Sequence, residues 1–249
     1  MRVFYRLSES SNIRIRVPGT TKQSCLENFF KNFKLTPYDS MFLLADSVSD
    51  TTYANILEWV KGYPVEVARS QSGSEAGSFR LLLNKFEGEN LPSNEYVYFA
   101  EDDYIYVSDA RRILNEGLMI GDYATLRLHP DKFIPPSKGG NPLLDEKGGE
   151  STRIYLGVDN FWMLTNSTGM YPATSVKTMC DDLDIWYWGV QERASKDFDI
   201  WLKLRAKGRT LVMPIPTGMS HSEIESESSL IGTGYCCWEN ALHGDCKHR

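Results

Sequence analysis

In the first hundred or so residues, short apolar runs alternate with segments of helical periodicity, and this alternation constrains the fold more than any other feature. Residues 1–7 read as a buried strand, and residues 21–34 follow with Cys25, Leu26, Phe29, Phe30 and Phe33 at helical spacing. Residues 41–45 form a second apolar run, after which Tyr53, Ile56, Leu57 and Val60 mark a helix stopped by Gly62. Residues 65–68 and 96–100 predict two more strands, with a helix over 74–86 between them. Repeated strand–helix units fold as an α/β domain with a mostly parallel central sheet and helices on both faces. Such sheets place their ligand crevice beyond the carboxyl ends of the strands. Arg6, Asp46, Arg69 and the run Glu101-Asp102-Asp103 all fall at or just past a predicted strand end, so they are expected to converge on one cleft.

After Asp103 the texture changes. A short helix near residues 108–116 and a strand over 124–128 precede residues 130–150, which are rich in Gly, Pro and Lys and lack periodicity. Such a stretch is either a binding loop or lid, or a floppy surface excursion. Residues 153–158 and 161–165 predict strands, and a helical segment near 175–182 follows. Residues 197–207 predict a helix ended by Gly208, and a last strand over 210–214 leads to His221. The pattern implies one domain over 1–249, with residues 1–105 as one functional part and 106–249 as a second part.

Composition removes several classes. With 27 Lys+Arg against 33 Asp+Glu, the formal net charge of the 249-residue chain is -6, which gives no footprint for general nucleic-acid or acidic-membrane binding. The apolar runs fall far short of the ~20 residues of a membrane helix. Residues 1–5 open directly into a strand-like pattern, so the expectation is a soluble, unexported, cytoplasmic chain. The 5 cysteines are an odd count with no disulfide framework. Cys236, Cys237, His243, Cys246 and His248 contain zinc-ligand residue types, but their short spacings match no usual pattern, and a plain tail is the expectation.

The acidic triplet carries the clearest chemistry. Three carboxylates directly after an apolar strand repel one another unless a cation or a strong donor set lies between them. Hard divalent ions take carboxylate oxygens, and Mg2+ or Mn2+ completes its shell with water and phosphate, so a diphosphate is the natural guest. The plainer reading is a solvated acidic turn or a helix cap.

Two blocks of sequence carry a resemblance. The run from Phe42 through Asp46 and Asp50, the Ser72-Gly73-Ser74-Glu75-Ala76-Gly77 loop opening a helix, and Tyr96 to Asp103 resemble the nucleotide-sugar part of family 2-type, GT-A fold glycosyltransferases. Lys196-Asp197-Phe198-Asp199-Ile200-Trp201, the Gly208 strand and the closing His221 are similar to the acidic catalytic helix and terminal histidine of the same group. Together the blocks cover most of the chain, and a small soluble viral or bacterial transferase is the type they suggest.

The resemblance implies metal-dependent transfer of a hexosyl group from a nucleoside-diphosphate sugar, a UDP-sugar first, to a hydroxyl of a glycan or glycoconjugate, with inversion. It assigns Mn2+ or Mg2+ to Asp103, with Asp102 or Glu101 assisting, and gives His221 to the metal or phosphate. Asp197 takes the place of the base, with Asp199 as backup. Arg6, Ser8, Asp46, Arg69, Ser72 and Gly73 are placed around the nucleotide, and Arg80 toward phosphate. Ala45 departs from the first Asp of the usual pair, which leaves the base contact open. Lys196 departs from the usual Glu; it affects acceptor positioning or stabilises an ionised Asp197. Sugars stack their apolar faces on rings, so Trp162 and Trp186 to Trp188, with Asp159 beside them, are acceptor candidates. Two rivals remain open: a sugar nucleotidyltransferase, and a non-catalytic carbohydrate-binding protein that keeps the cleft.

Overall fold

The computed structural model describes residues 1–9 and 17–222. The Cys and His residues of the tail, from Cys236 to His248, lie outside the described residues. The central sheet has nine strands in the order β3-β2-β1-β4-β9-β6-β10-β8-β7. Its first part is β1 (Arg2–Ser8), β2 (Ser40–Asp46), β3 (Val65–Ser70) and β4 (Tyr96–Glu101), all parallel. The connecting helices are α1 (Lys22–Phe33), α2 (Asp50–Trp59) and α3 (Glu75–Gly88).

β1 alternates between two cores, which is why helices cover both faces. Val3, Tyr5 and Leu7 pack with Phe29 and Phe33 of α1 on one side. Phe4 points to the other, against Phe42, Phe79 and Phe86, and stacks on Phe99 with ring centroids 5.2 Å apart. Each such buried ring contributes about 1.5–3 kcal/mol relative to exposure. The helix starts are fixed locally: Thr21 and Ser24 form a reciprocal capping box on α1, and the Ser74 hydroxyl accepts from Gly77 N at the start of α3.

The second half is mixed and departs from expectation in detail. After β5 (Tyr104–Tyr106) come α4 (Ala110–Leu118), β6 (Tyr123–Ala124), β7 (Ile154–Leu156), β8 (Phe161–Thr165), β9 (Ala173–Ser175), α5 (Val176–Gly189), α6 (Asp197–Ala206), β10 (Leu211–Ile215) and β11 (Met219–His221). The strand expected over 124–128 keeps sheet pairing only at Tyr123 and Ala124, after which the Leu126 carbonyl bonds Gly218 N instead. The helix expected near 175–182 runs on to Gly189. Residues 130–150 are not a floppy excursion. They hold two short 3-10 turns, Pro130–Lys132 and Pro136–Lys138, and two polar plugs. Lys132 is 1% exposed and Asn141 2%; the Lys132 ammonium donates to Asn166 Oδ1 and Ser167 Oγ, and the Asn141 amide reaches the same two atoms.

β5 and β11 form a separate antiparallel pair, with Tyr104 opposite His221 and Tyr106 opposite Met219. α1 holds the outer edge of β5 with side chains: Asn28 Oδ1 accepts from Tyr106 N at 2.7 Å, and Asn32 Nδ2 donates to Tyr106 O at 2.8 Å. Asn28→Ala leaves a buried N–H without its acceptor and is expected to destabilise the fold by about 1–3 kcal/mol. Urea unfolding with an unchanged m-value reads this; an unchanged midpoint contradicts it.

Candidate active site

The strand order reverses between β1 and β4, because β1 leads through α1 to β2 on one side while β4 flanks it on the other. A cleft of about 730 Å3 opens beyond this point, lined on its near side by Arg6, Gly73, Ser74, Glu75, Glu101 and Asp103. Arg6 and Glu101 are register partners across β1 and β4. Arg6 Nε donates to Ser78 Oγ at 2.6 Å, and its Nη1 lies 3.4 Å from Glu101 Oε1.

The three acids meet three different environments. Burial, with Asp103 beside it, pushes the Glu101 carboxyl well above the usual range, with Arg6 opposing. Asp102 is turned into the fold: its Oδ2 accepts from Ser8 N at 2.8 Å and Lys22 Nζ at 2.6 Å, tying the end of β1 to α1. It is therefore not presented as a ligand to the cleft. Asp103 faces the cleft 3.3 Å from His221 Nε2. Burial works against its ionisation, but the His221 hydrogen bond and charge, aided by Lys22 and Arg6, outweigh this and hold its pKa down to about 2. Its Oδ1 is buried and has no hydrogen-bond partner among the described residues. Among the described residues no three His, Cys, Asp or Glu side chains converge as a metal cluster. Asp103 and His221 are the groups at this edge of the cleft that could donate to a cation, a carboxylate beside an imidazole, and such a pair suits an ion completed by phosphate and water.

The remaining nucleotide candidates divide by depth. Asp46 is fully buried and takes hydrogen bonds from Ser70 Oγ, Ser72 N and Ser72 Oγ at 2.7–2.8 Å. Burial opposes its ionisation, yet these donors and Ser47 hold its pKa below the ordinary value. Asp46 and Ser72 therefore set the loop that presents Gly73, whose φ of 69° suits a glycine. Ser8 is buried at the end of β1 and engaged through its N–H. Arg69 bonds Asp50 and the Val48 carbonyl over the Tyr53 ring. Arg80 stands on the exposed face of α3 and is not among the cleft residues.

Asp197 opens α6 and lines the cleft. Its Oδ1 accepts from Phe198 N at 2.8 Å. Burial raises its pKa, helped by Glu75 and opposed by the Phe198 N–H and His129. Asp199 is exposed and is not among the cleft residues. Lys196 pairs with Glu192 and lies over the Trp188 ring, so its ammonium is directed to those groups.

The aromatic acceptor candidates are not at this cleft. Trp162 is fully buried in the core, where a Cβ on Gly117 would meet its ring at 2.5 Å, so it offers no stacking face. Trp186 is likewise buried. Trp188 is half-buried beneath Lys196 and Lys203, and the exposed Asp159 pairs with Arg112. The far wall is built instead by Arg127, His129, Asp131 and Lys132, the Ser167-Thr168-Gly169 turn, Tyr171 and Arg193. None of these was singled out from the sequence. The signal available was the run His129-Pro130-Asp131-Lys132, three ionisable residues around a proline that starts a 3-10 turn.

No protein-family model matches the sequence, and comparison with curated proteins gives no match. Solved structures do match. The chain is similar to GalNAc-T7 with UDP, GalNAc and Mn2+ at TM-score 0.56 and 12% identity, over 94% of this chain and 45% of that one. It is similar to TarS of S. aureus at TM-score 0.53 and 11% identity, over 85% of this chain and 34% of that one, so it spans about a third of TarS. The galactosyltransferase LgtC, in complex with donor and acceptor sugar analogs, matches at TM-score 0.50 and 10% identity, over 100% of this chain and 98% of that one. The fold is therefore GT-A-type. No helix among the described residues is long and apolar enough to cross a membrane.

Asp46, buried against the 70–72 segment, and Asp197, which lines the cleft, have opposite linkage to stability. Asp46 has a lowered folded pKa, so it contributes stability above its unfolded value of ~3.9 that is lost as pH falls through the folded value. Asp197 has a raised one, so its contribution is fully present below the unfolded value and is lost as pH rises through the folded value. At pH 7, Asp46→Asn is expected to lower the unfolding midpoint and Asp197→Asn to raise it, both gaps narrowing toward pH 3. Denaturant titrations across pH read both signs; equal signs at pH 7 contradict the assignment.

Proposed function

We propose that this chain is a glycosyltransferase that moves a hexosyl group from a nucleoside-diphosphate sugar, a UDP-sugar first, to an acceptor hydroxyl. One observation carries the reading: on a GT-A-type fold, a cleft at the strand-order reversal holds Asp103, with its unsatisfied buried oxygen beside His221, and the desolvated carboxyl of Asp197. That GalNAc-T7 was solved with UDP, GalNAc and Mn2+ supports the donor class and the cation.

In this reading Asp103 and His221 hold Mn2+ or Mg2+, which when bound offsets the charge developing on the departing diphosphate. Gly73 brings the backbone of the 72–74 loop to the nucleotide without a side chain, and Arg6 adds positive charge at the phosphate side. Burial and Asp103 disfavour ionisation of Glu101, with Arg6 opposing them, which lessens the negative charge it adds near the diphosphate. Asp197 accepts the proton of the attacking hydroxyl. Its raised pKa brings a carboxylate closer to the working pH, where a general base is most effective. One base and no protein nucleophile is the requirement of a single inverting displacement.

Incubation with Mn2+ and a panel of UDP-sugars is expected to release UDP slowly with water as acceptor. Asp197→Asn is expected to keep donor-induced thermal stabilisation and to slow release by at least ~100-fold. Release of pyrophosphate from UTP and a sugar 1-phosphate, with no UDP released from any UDP-sugar, would favour a nucleotidyltransferase, and binding with no turnover of any donor would favour a carbohydrate-binding role; either result overturns the proposal. A near-normal rate for Asp197→Asn removes the base.

A further inference from the structure

Asp197 begins α6 with little local support. The helix is entered at Lys196, whose side chain has no acceptor for the first-turn N–H groups, and no side-chain cap forms there. Where Asp197 sits therefore depends on what holds residues 190–196 from outside. One hold is within the same half of the chain: Lys196 N donates to Gly189 O at 2.9 Å, and Val190 is buried. The other comes from the opposite half. Ser195 Oγ donates to Glu75 Oε1 at 2.9 Å, joining residues 120 apart in sequence.

Glu75 is the first residue of α3, and the first turn of that helix gathers the groups assigned to the donor. Ser72 N donates to the buried Asp46 at 2.7 Å, which sets the loop leading to Gly73. Ser74 caps the helix, its hydroxyl accepting from Gly77 N at 3.0 Å. Ser78 Oγ accepts from Arg6 Nε at 2.6 Å and lies 3.0 Å from Ser74 O and 2.9 Å from Glu75 O. Arg6 is thus bonded to this turn, Gly73 precedes it, and Asp197 lies two residues after the side chain that reaches it; all three line the cleft.

The turn is a firm reference because α3 is firmly seated. Phe79, Leu82, Leu83 and Phe86 are buried beneath it, and the Tyr187 hydroxyl of α5 stands 3.0 Å from Asn84 Oδ1 and 2.9 Å from Glu87 Oε2. An acid in the first turn of a helix complements the helix dipole wherever its carboxylate points. The dipole alone gives no reason for Glu75 to face the cleft and take the Ser195 hydroxyl, as it does.

We propose that Glu75 is a positioning residue for the transfer reaction: through Ser195 it holds the segment that carries Asp197 in register with the loop that presents Gly73 to the donor. The inference rests on the glycosyl-transfer reading. A general base works only within hydrogen-bond reach of the hydroxyl it deprotonates, and rate falls steeply when a reacting group is displaced. Donor loop and base come from different halves of the chain, and the Glu75–Ser195 bond is a direct tie between them beside the cleft. Glu75 acts on Asp197 through the chain and takes no proton itself, so its loss lowers turnover and leaves donor affinity in place.

The experiment uses the full chain with Mn2+, whichever of UDP-glucose, UDP-galactose and their N-acetyl forms turns over fastest, and UDP release with water as acceptor. Glu75→Ala and Ser195→Ala are each expected to lower kcat by about fivefold, the rate equivalent of one ordinary hydrogen bond, with the donor KM within about twofold of the wild type. The double variant is expected to be no slower than either single one, because both remove the same bond. Glu75→Gln keeps an acceptor oxygen for Ser195 and is expected to return kcat to near the wild-type value. The bond is exposed, so its loss leaves the unfolding midpoint nearly unchanged and the rates are read on folded protein. Wild-type kcat in either alanine variant, losses that multiply in the double variant, a raised KM in place of a lowered kcat, or a Glu75→Gln chain as slow as Glu75→Ala overturns the positioning role and leaves the transfer reading standing. A wild-type chain that releases UDP from none of the donors overturns the transfer reading and the positioning role with it.

Discussion

Three backbone pairs between β5 and β11 hold the site together. They set Tyr104 against His221 and Tyr106 against Met219, and the chain after them closes the loop when Ser222 N donates to Asp103 O at 2.7 Å. Residues far apart in sequence, Asp103 and His221, thereby come within 3.3 Å. A two-stranded ribbon is marginal by itself, so its supports matter. Asn28 and Asn32 of α1 bond the free edge of β5 at Tyr106, Val17 N donates to Ser222 O at 2.7 Å, and the buried Tyr98 and Tyr106 hydroxyls meet at 3.0 Å beneath it. The position of the proposed cation ligands is thus a consequence of helix α1 as much as of the acidic run.

The acidic run shows how one sheet edge separates like charges. Glu101 ends β4 in a dry place and is driven toward its neutral form; Asp102 points into the fold and finds Lys22; Asp103 points to the cleft and finds His221. Three adjacent carboxyls thus meet a dry strand end, a buried ion pair and an imidazole at the cleft. Across the cleft Asp197 is raised and Asp131 is lowered.

The N-terminal sheet was legible because its strands are long apolar runs and its helices carry full periodic faces, as with Phe29 and Phe33 on α1. β5, β9 and β11 were not, since three residues carry no periodicity and their pairing is set by partners distant in sequence. Tryptophans could be counted but not placed: Trp162 became core because Gly117 lets its ring approach α4, a contact no spacing announces. Asp102 and Asp103 are adjacent, and only the direction of each side chain separates an anchor inside the fold from a carboxylate that faces the cleft. The far wall escaped because His129, Asp131 and Lys132 sit in a stretch that reads as a loop, and the polar plugs that fix it, Lys132 and Asn141, look like ordinary surface residues in the sequence.

The central claim is that the Asp103–His221 pair grips a divalent ion together with a nucleoside diphosphate. Electron paramagnetic resonance of Mn2+ titrated with the full chain and UDP tests it most directly. The account predicts that the free Mn2+ signal is lost when protein and UDP are both present, and that it persists to the level of UDP alone with Asp103→Ala. A signal that the wild-type chain leaves at the level of UDP alone, or that Asp103→Ala quenches as well as the wild type, would contradict it.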